Sequence, residues 1–257
     1  MNILHSLILG LIEGLTEFLP ISSTFHLIIT SKILGLGSSD FLKLFEVVIQ
    51  SGAIFALLLI YTKTLWSDKK LLLNVIYSFI PTAIVGFVLH KIIKTVFFEN
   101  NWLMLSVFIV MGIVFLLLEK YIGKLDKDCS KLTRTDAVLI GLAQATSVIP
   151  GVSRSGSIIV AMMMMGYKRE EAAKYTFLLS LPTIFSATAL DLVQSRALLL
   201  SQTGGWELLV TGTLMSMVVG YLVVKWLTSY LATHTLKIFG WYRLAIATLL
   251  LVFKVLP

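Results

Sequence analysis

Runs of about 20 apolar residues recur along the chain, and a run of that length crosses the hydrocarbon core of a bilayer as a helix. Residues 41–61, 102–118, 208–226 and 238–253 are such runs, and residues 71–90 and 175–192 are similar but less purely apolar. The chain therefore reads as an all-α polytopic membrane protein. Its composition agrees, with 57% hydrophobic and 14% charged residues and a mean hydropathy of +0.92, outside the usual balance of a water-soluble domain. The first segment is not expected to be a cleaved leader, because it has no basic start, carries Glu13 in its apolar run and lacks a small-residue cleavage site.

The net charge of +7 is not gathered into a stripe of the kind that binds nucleic acid. The connections at 63–70, 119–134, 168–174 and 225–237 hold 13 of the 21 Lys and Arg, which places them together in the cytoplasm by the positive-inside rule. Residues 35–43, 90–101 and 196–207 then face outward. If 119–134 and 168–174 share a side, the segment between them must enter the membrane and return. Pro150-Gly151 breaks that segment halfway, as a re-entrant helix-turn-helix requires. Residues 1–35, broken at Pro20, form a matching hairpin from the opposite face. Gly10-Leu11-Ile12-Glu13 aligns with Gly141-Leu142-Ala143-Gln144, and Pro20-Ile21-Ser22-Ser23 aligns with Pro150, Val152 and Ser153 once a one-residue gap is allowed. This predicts one membrane domain of two inverted-topology repeats, about residues 1–125 and 133–257. Each repeat is a re-entrant hairpin plus three transmembrane helices, and the hairpin tips meet near mid-membrane. The single Cys129 has no partner for a disulfide.

Ionisable residues in such a chain are expensive and face a polar cavity rather than lipid. Glu13 and Glu17, four residues apart, lie on one helix face where like charges repel. A divalent cation relieves that repulsion, and hard oxygen ligands select Mg²⁺ or Ca²⁺; the other reading is a protonated or hydrated pair. After Pro20, Ser22, Ser23 and Thr24 stand at a helix N-terminus that favours phosphate, with His26 one turn on. Ser22 also suits simple helix capping. Ser23 with His26 offers a nucleophile and a base within one turn. The second tip sets Gly151, Ser153, Ser155 and Gly156 around Arg154, whose planar fork matches phosphate oxygens, while the glycines let backbone approach a ligand. Gly10 and Gly14 read as helix packing, Met162 to Met165 as an apolar face, and Glu170 and Glu171 with Lys174 as a solvated helix start. Glu46 and Gln50 either support the site or bond between helices.

The stretch from Glu13 to Thr24 with His26, together with Pro150-Gly151-Val152-Ser153-Arg154-Ser155-Gly156, closely resembles the undecaprenyl-diphosphate phosphatase family associated with bacitracin resistance. Further landmarks lie at Phe45 to Gly52, Phe177 to Leu179 with Pro182, and Tyr242-Arg243, so the resemblance runs nearly end to end. It implies a metal-dependent enzyme of the bacterial inner membrane. That enzyme turns the isoprenyl diphosphate lipid into the monophosphate reused in peptidoglycan synthesis, at a site open to the periplasm. The implied functional residues are Glu13, Glu17, Ser22, Ser23, Thr24, His26, Ser153 and Arg154. A homodimer is left open. Phe25 stands where the family usually has glycine, which is expected to narrow the cavity or turn His26. Ile158 replaces a threonine, removing a phosphate hydroxyl beside Ser157.

The expected chemistry is attack on phosphorus by Ser23, with His26 as base for it or for a water, and Arg154 neutralising developing charge. His26 as nucleophile stays open. The rival is an isoprenyl-phosphate transporter, which also uses inverted repeats and a midplane polar site. A catalytically silent relative is a third reading.

Overall fold

A computed structural model describes residues 1–92, 100–196, 198 and 204–253. Parts of two expected outward connections, residues 93–99, 197 and 199–203, and the end of the chain, residues 254–257, lie outside the described residues. Eleven α-helices are described: α1 Ile3–Thr16, α2 Ser23–Ile33, α3 Asp40–Val48, α4 Gln50–Ser67, α5 Lys69–Ile92, α6 Asn101–Tyr121, α7 Arg134–Ala145, α8 Arg154–Met164, α9 Arg169–Gln194, α10 Gly205–Thr233 and α11 Lys237–Val252. Polar caps start several of them. Ser39 accepts from the N–H of Leu42, Asp68 from Leu71 and Asn100 from Leu103, and Thr133 with Asp136 forms a capping box.

Among the described residues five stretches are long and apolar enough to cross a membrane: Asp40–Ser67, Lys69–Leu89, Asn101–Tyr121, Arg169–Gln194 and Gly205–Thr233. The sixth expected span, 238–253, falls in α11, which has 16 residues and is about 24 Å long, short of a hydrocarbon core about 30 Å thick. The span expected at 41–61 is interrupted at Ile49, where the Ser51 hydroxyl takes the Val48 carbonyl at 2.6 Å. A serine bonding its own backbone in this way competes with the helix ladder.

Helix α10 shows how the bundle is sorted. Val210, Leu214, Val218, Leu222 and Trp226, each four residues apart, are exposed and form a lipid-facing stripe. Gly212, Ser216 and Gly220 lie buried on the other face. A Cβ at Gly10 or Gly14 of α1 would strike the backbone of Gly212, Ser216 or Gly220, so these glycines let the two helices touch. Helix α5 uses a polar stripe instead. Asn74, Ser78 and Thr82 donate to the carbonyls of Leu132, Ala137 and Gly141, which fixes α7 along it.

All four basic connections gather at one end. Lys70 donates to the Ser130 carbonyl, Lys168 pairs with Asp128 at 2.8 Å, Arg169 pairs with Glu119, and Glu119 accepts from the N–H of Leu236. Helices α7 and α8 therefore leave and return to the same end. At the expected solvated start of α9, Glu171 turns inward and accepts from the N–H of buried Cys129 at 2.9 Å. Met162 and Met163 are fully buried, whereas Met164 is exposed, so that run straddles two faces. At the other end Lys32 donates to Asn101 and Ser6 to the Leu208 carbonyl, so hairpin α1–α2 opens there.

Candidate active site at the hairpin tips

Each short hairpin turns through a serine with left-handed backbone. Ser22 has φ 68° and ψ 94°, Ser153 has φ 67° and ψ 114°, and no other non-glycine residue among those described has positive φ. Such a conformation costs on the order of 1–3 kcal/mol and persists where its surroundings over-determine it. Both serines immediately precede a helix, α2 and α8. Ser153 Oγ caps α8 by accepting from the N–H of Gly156 at 3.2 Å, whereas Ser22 makes no side-chain cap bond.

The tips meet at Glu17. Its Oε2 accepts from Ser23 Oγ at 2.5 Å and its Oε1 accepts from Nη2 of Arg154 on the other hairpin. Ser155 Oγ adds a second crossing to the Leu19 carbonyl at 2.9 Å and lies 3.0 Å from Ser153 Oγ. Glu17 is nearly enclosed, and Arg154 keeps 15% of its side chain accessible. A carboxylate that holds a hydroxyl proton on one oxygen and a guanidinium on the other is equipped as a base with its charge balanced.

Glu13 is fully buried with its carboxyl against that of Glu17, close enough for the two to share a proton, and within electrostatic range of Arg154 and Glu46; no other group among the described residues bonds either of its oxygens. That otherwise unpartnered carboxylate suits a hard cation. Glu17, by contrast, already has both oxygens engaged. Among the described residues no group of three or more His, Cys, Asp or Glu side chains is placed to hold a metal ion, so water and substrate oxygens would complete any cation shell. Glu46 accepts from Ser31 Oγ at 2.9 Å, a bond between helices.

His26 does not pair with Ser23 as the spacing had implied. Its Nδ1 lies 2.8 Å from the Ser22 carbonyl, which only accepts, so Nδ1 carries the proton. Nε2, at 2.9 Å from the Tyr242 hydroxyl, then accepts from it. The cause is local: four residues on from Ser22, the imidazole closes over the carbonyl of the strained turn, while Ser23 turns back to Glu17. Thr24 is half-buried between them. Phe25 stacks on Phe108 at 3.8 Å within a buried cluster with Met104, Leu105 and Ala247, anchoring α2 on α6 and α11, and its ring meets that of His26 edge-on at 5.7 Å. Ile158 is fully buried in the main core.

The two tip glycines have another explanation than ligand approach. A Cβ at Gly151, which has φ 96°, would meet the Met104 carbonyl at 2.6 Å, and one at Gly156 would meet the Phe115 ring at 2.8 Å. Their missing side chains let α6 pack against the tip. Gln144, aligned with Glu13, donates to Thr82 and Thr183.

Two residues of α11 that the sequence marked only as landmarks belong to the same neighbourhood. Tyr242 holds His26, and Arg243, wholly inaccessible, donates to the carbonyls of Pro20 at 2.9 Å, Gly151 at 2.9 Å and Phe108 at 3.3 Å. The signal available for Arg243 was a lone arginine inside an apolar run.

Comparison with known proteins bears on what this arrangement does. The family described as bacitracin resistance protein BacA matches residues 6–249. A protein named undecaprenyl-diphosphatase from Aquifex aeolicus is 42% identical over 94% of this chain and 94% of its own. One of the same name from Persephonella marina is 40% identical over 98% of this chain and 99% of its own, and one from Thermus thermophilus is 38% identical over 95% and 94%.

Proposed function

The chain belongs to the bacitracin resistance protein BacA family, and from that premise we propose that it hydrolyses undecaprenyl diphosphate to undecaprenyl phosphate and phosphate. The observation that carries the mechanism is the sharing of Glu17 between Ser23 and Arg154. Ser23 Oγ attacks the terminal phosphorus and gives its proton to Glu17 Oε2. The bond from that phosphorus to the bridging oxygen breaks, and the lipid monophosphate leaves and takes the proton. Water then attacks the phosphoserine. Glu17 accepts the water's proton and returns it to Ser23 Oγ, releasing phosphate. Arg154 moves from Glu17 to the charge building on the equatorial oxygens. Ser22, Thr24, Ser153 and Ser155 and the free N–H groups of α2 hold the phosphates. His26, with Nδ1 tied to Ser22 and Nε2 to Tyr242, orients the first tip.

Glu13, with Glu17 beside it, is where Mg²⁺ or Ca²⁺ would be held. Such an ion, when bound, neutralises diphosphate charge and orients the leaving group.

We place the protein in the bacterial inner membrane with the four basic connections in the cytoplasm and the tips open toward the periplasm. The reading of two inverted repeats, about 1–125 and 133–257 in one domain, is supported by the shared backbone conformation of the aligned Ser22 and Ser153. Hairpins that open to opposite ends support it too. The carrier reading gains nothing from relatives that are named as diphosphatases.

The test is phosphate release from undecaprenyl diphosphate by purified protein in detergent, with and without Mg²⁺ or Ca²⁺, beside Glu17→Ala and Arg154→Ala. Cation-dependent release lost in both variants is expected. No release by well-folded wild type under any cation would overturn the proposal.

A further inference from the structure

Arg243 sits between the two tips and touches the same atom in each. Pro20 is two residues before the left-handed Ser22, and Gly151 is two residues before the left-handed Ser153. Nε of Arg243 donates to the first carbonyl and Nη1 to the second, both at 2.9 Å. A third bond, to Phe108, and the faces of the Phe108 and Phe115 rings, 4.7 and 5.3 Å from the guanidinium carbon, fix the fork on α6.

An arginine at this depth normally pairs with an acid. The recorded bonds of Arg243 all run to neutral main-chain carbonyls. Nε and Nη1 are thus given over to backbone at one place, between the two hairpin tips, while the buried Nη2 has no hydrogen-bond partner among the described residues. The side chain has no accessible surface, so it does not reach a substrate.

We propose that Arg243 is a positioning residue for the hydrolysis inferred above. By gripping the equivalent carbonyl of each tip, it holds Ser23 and Glu17 of one hairpin at the spacing that Arg154 of the other requires. The proposal rests on the hydrolase reading for its catalytic consequence and on geometry alone for the staple itself. Lysine carries its three donors on a single nitrogen and does not reproduce the two-atom fork, Nε and Nη1, that spans the carbonyls. Gly112 gives an indirect perturbation. A Cβ there would stand 3.1 Å from Arg243 Cβ and from the Gly240 carbonyl, pushing α11 away from α6 without altering the guanidinium.

The experiment combines phosphate release with amide hydrogen exchange of the detergent-solubilised protein, for wild type, Arg243→Lys and Gly112→Ala. For Arg243→Lys, kcat per folded molecule is expected to fall about 100-fold, the effect of roughly 1 Å of misplacement, while KM moves less than about threefold. Exchange should quicken in residues 17–24 and 149–156 and stay unchanged along α5 and α7. Gly112→Ala should change both readouts in the same direction by a smaller factor, and it decides alone if Arg243→Lys does not fold. A kcat within about twofold of wild type in the folded variants, or an increase in exchange spread evenly over the protein, would overturn the proposal and leave Arg243 a plug in the core. An inactive wild type would refute the hydrolase reading instead, with the local exchange pattern still deciding whether the tips are stapled.

Discussion

Replacing Glu17 by glutamine tests the centre of the mechanism, because it keeps the shape and removes the base. Both carboxylate oxygens accept in the structure, one from Ser23 and one from Arg154. An amide has one accepting oxygen and one donating nitrogen. Arg154 only donates and takes the oxygen, so the Ser23 hydroxyl must rotate to accept from the nitrogen, and its proton has no carboxylate to go to. Loss of a positioned base lowers rate by about 10²–10⁴-fold, equivalent to roughly 3–5 kcal/mol of transition-state stabilisation. The fold should survive, since every group keeps a neutral partner and the expected destabilisation is about 1–3 kcal/mol. The assay is initial-rate phosphate release from undecaprenyl diphosphate at limiting and saturating substrate, with melting in detergent as control. Glu17→Gln should lose kcat with little change in KM, and the double variant with Ser23→Ala should be no slower than the slower single. Retention of more than about a tenth of wild-type kcat by Glu17→Gln would refute its role as base. Full activity in Ser23→Ala would show that water, not Ser23, attacks phosphorus.

The other predictions reach further from the chemistry. Tyr242→Phe keeps the ring stacked on His26 but removes the donor to Nε2; loss of about 1 kcal/mol of orientation should lower kcat about fivefold in the release assay. Gly141→Ala places a methyl on the Ser78 carbonyl and should lower stability by about 1–3 kcal/mol by thermal melting, whereas Gly37→Ala, with open space around it, should not register. Ser78→Ala, which deletes bonds to the Ala137 carbonyl and Tyr175 hydroxyl, should cost about 1–3 kcal/mol in melting while leaving kcat unchanged. The Cys129 thiol, pushed up by burial and by the neighbouring Glu171, should resist maleimide at neutral pH in the native protein and react fully once it is unfolded in detergent.

Much of the site was legible because buried charge in an apolar chain is rare enough to be read residue by residue. Glu13, Glu17, Ser23 and Arg154 stand out in the sequence, and the structure brings them together. The pairing of His26 was not legible, because i,i+3 spacing sets Ser23 and His26 near each other on α2 but does not say which way each side chain turns, and Ser23 finds Glu17 while His26 finds the Ser22 carbonyl. Arg243 escaped for a different reason: its partners are carbonyls, which every residue has, so no pattern of side chains announces them. The spans at 71–90 and 175–192 looked weak for a reason that is plain in the first of them. Asn74, Ser78 and Thr82 dilute its hydropathy while serving as the rail for α7. The interruption at Ile49 has no proline to announce it; the Gly52 N–H takes the Ile49 carbonyl and the Ser51 hydroxyl takes that of Val48.

The packing of α1 sets a timetable for biosynthesis. Its serine at position 6 bonds a carbonyl 202 residues later, and its glycines fit only against α10. At roughly 5–20 residues per second, the ribosome adds residue 208 about 10–40 s after residue 6. Helix α7, by contrast, emerges after the rail that receives it. The first-born carboxylates therefore wait, in the care of the insertion machinery or of lipid, for the last fifth of the chain. A nascent protein halted before residue 205 holds every acidic group of the first tip yet has no finished site to place them in, and activity begins only when synthesis is all but over.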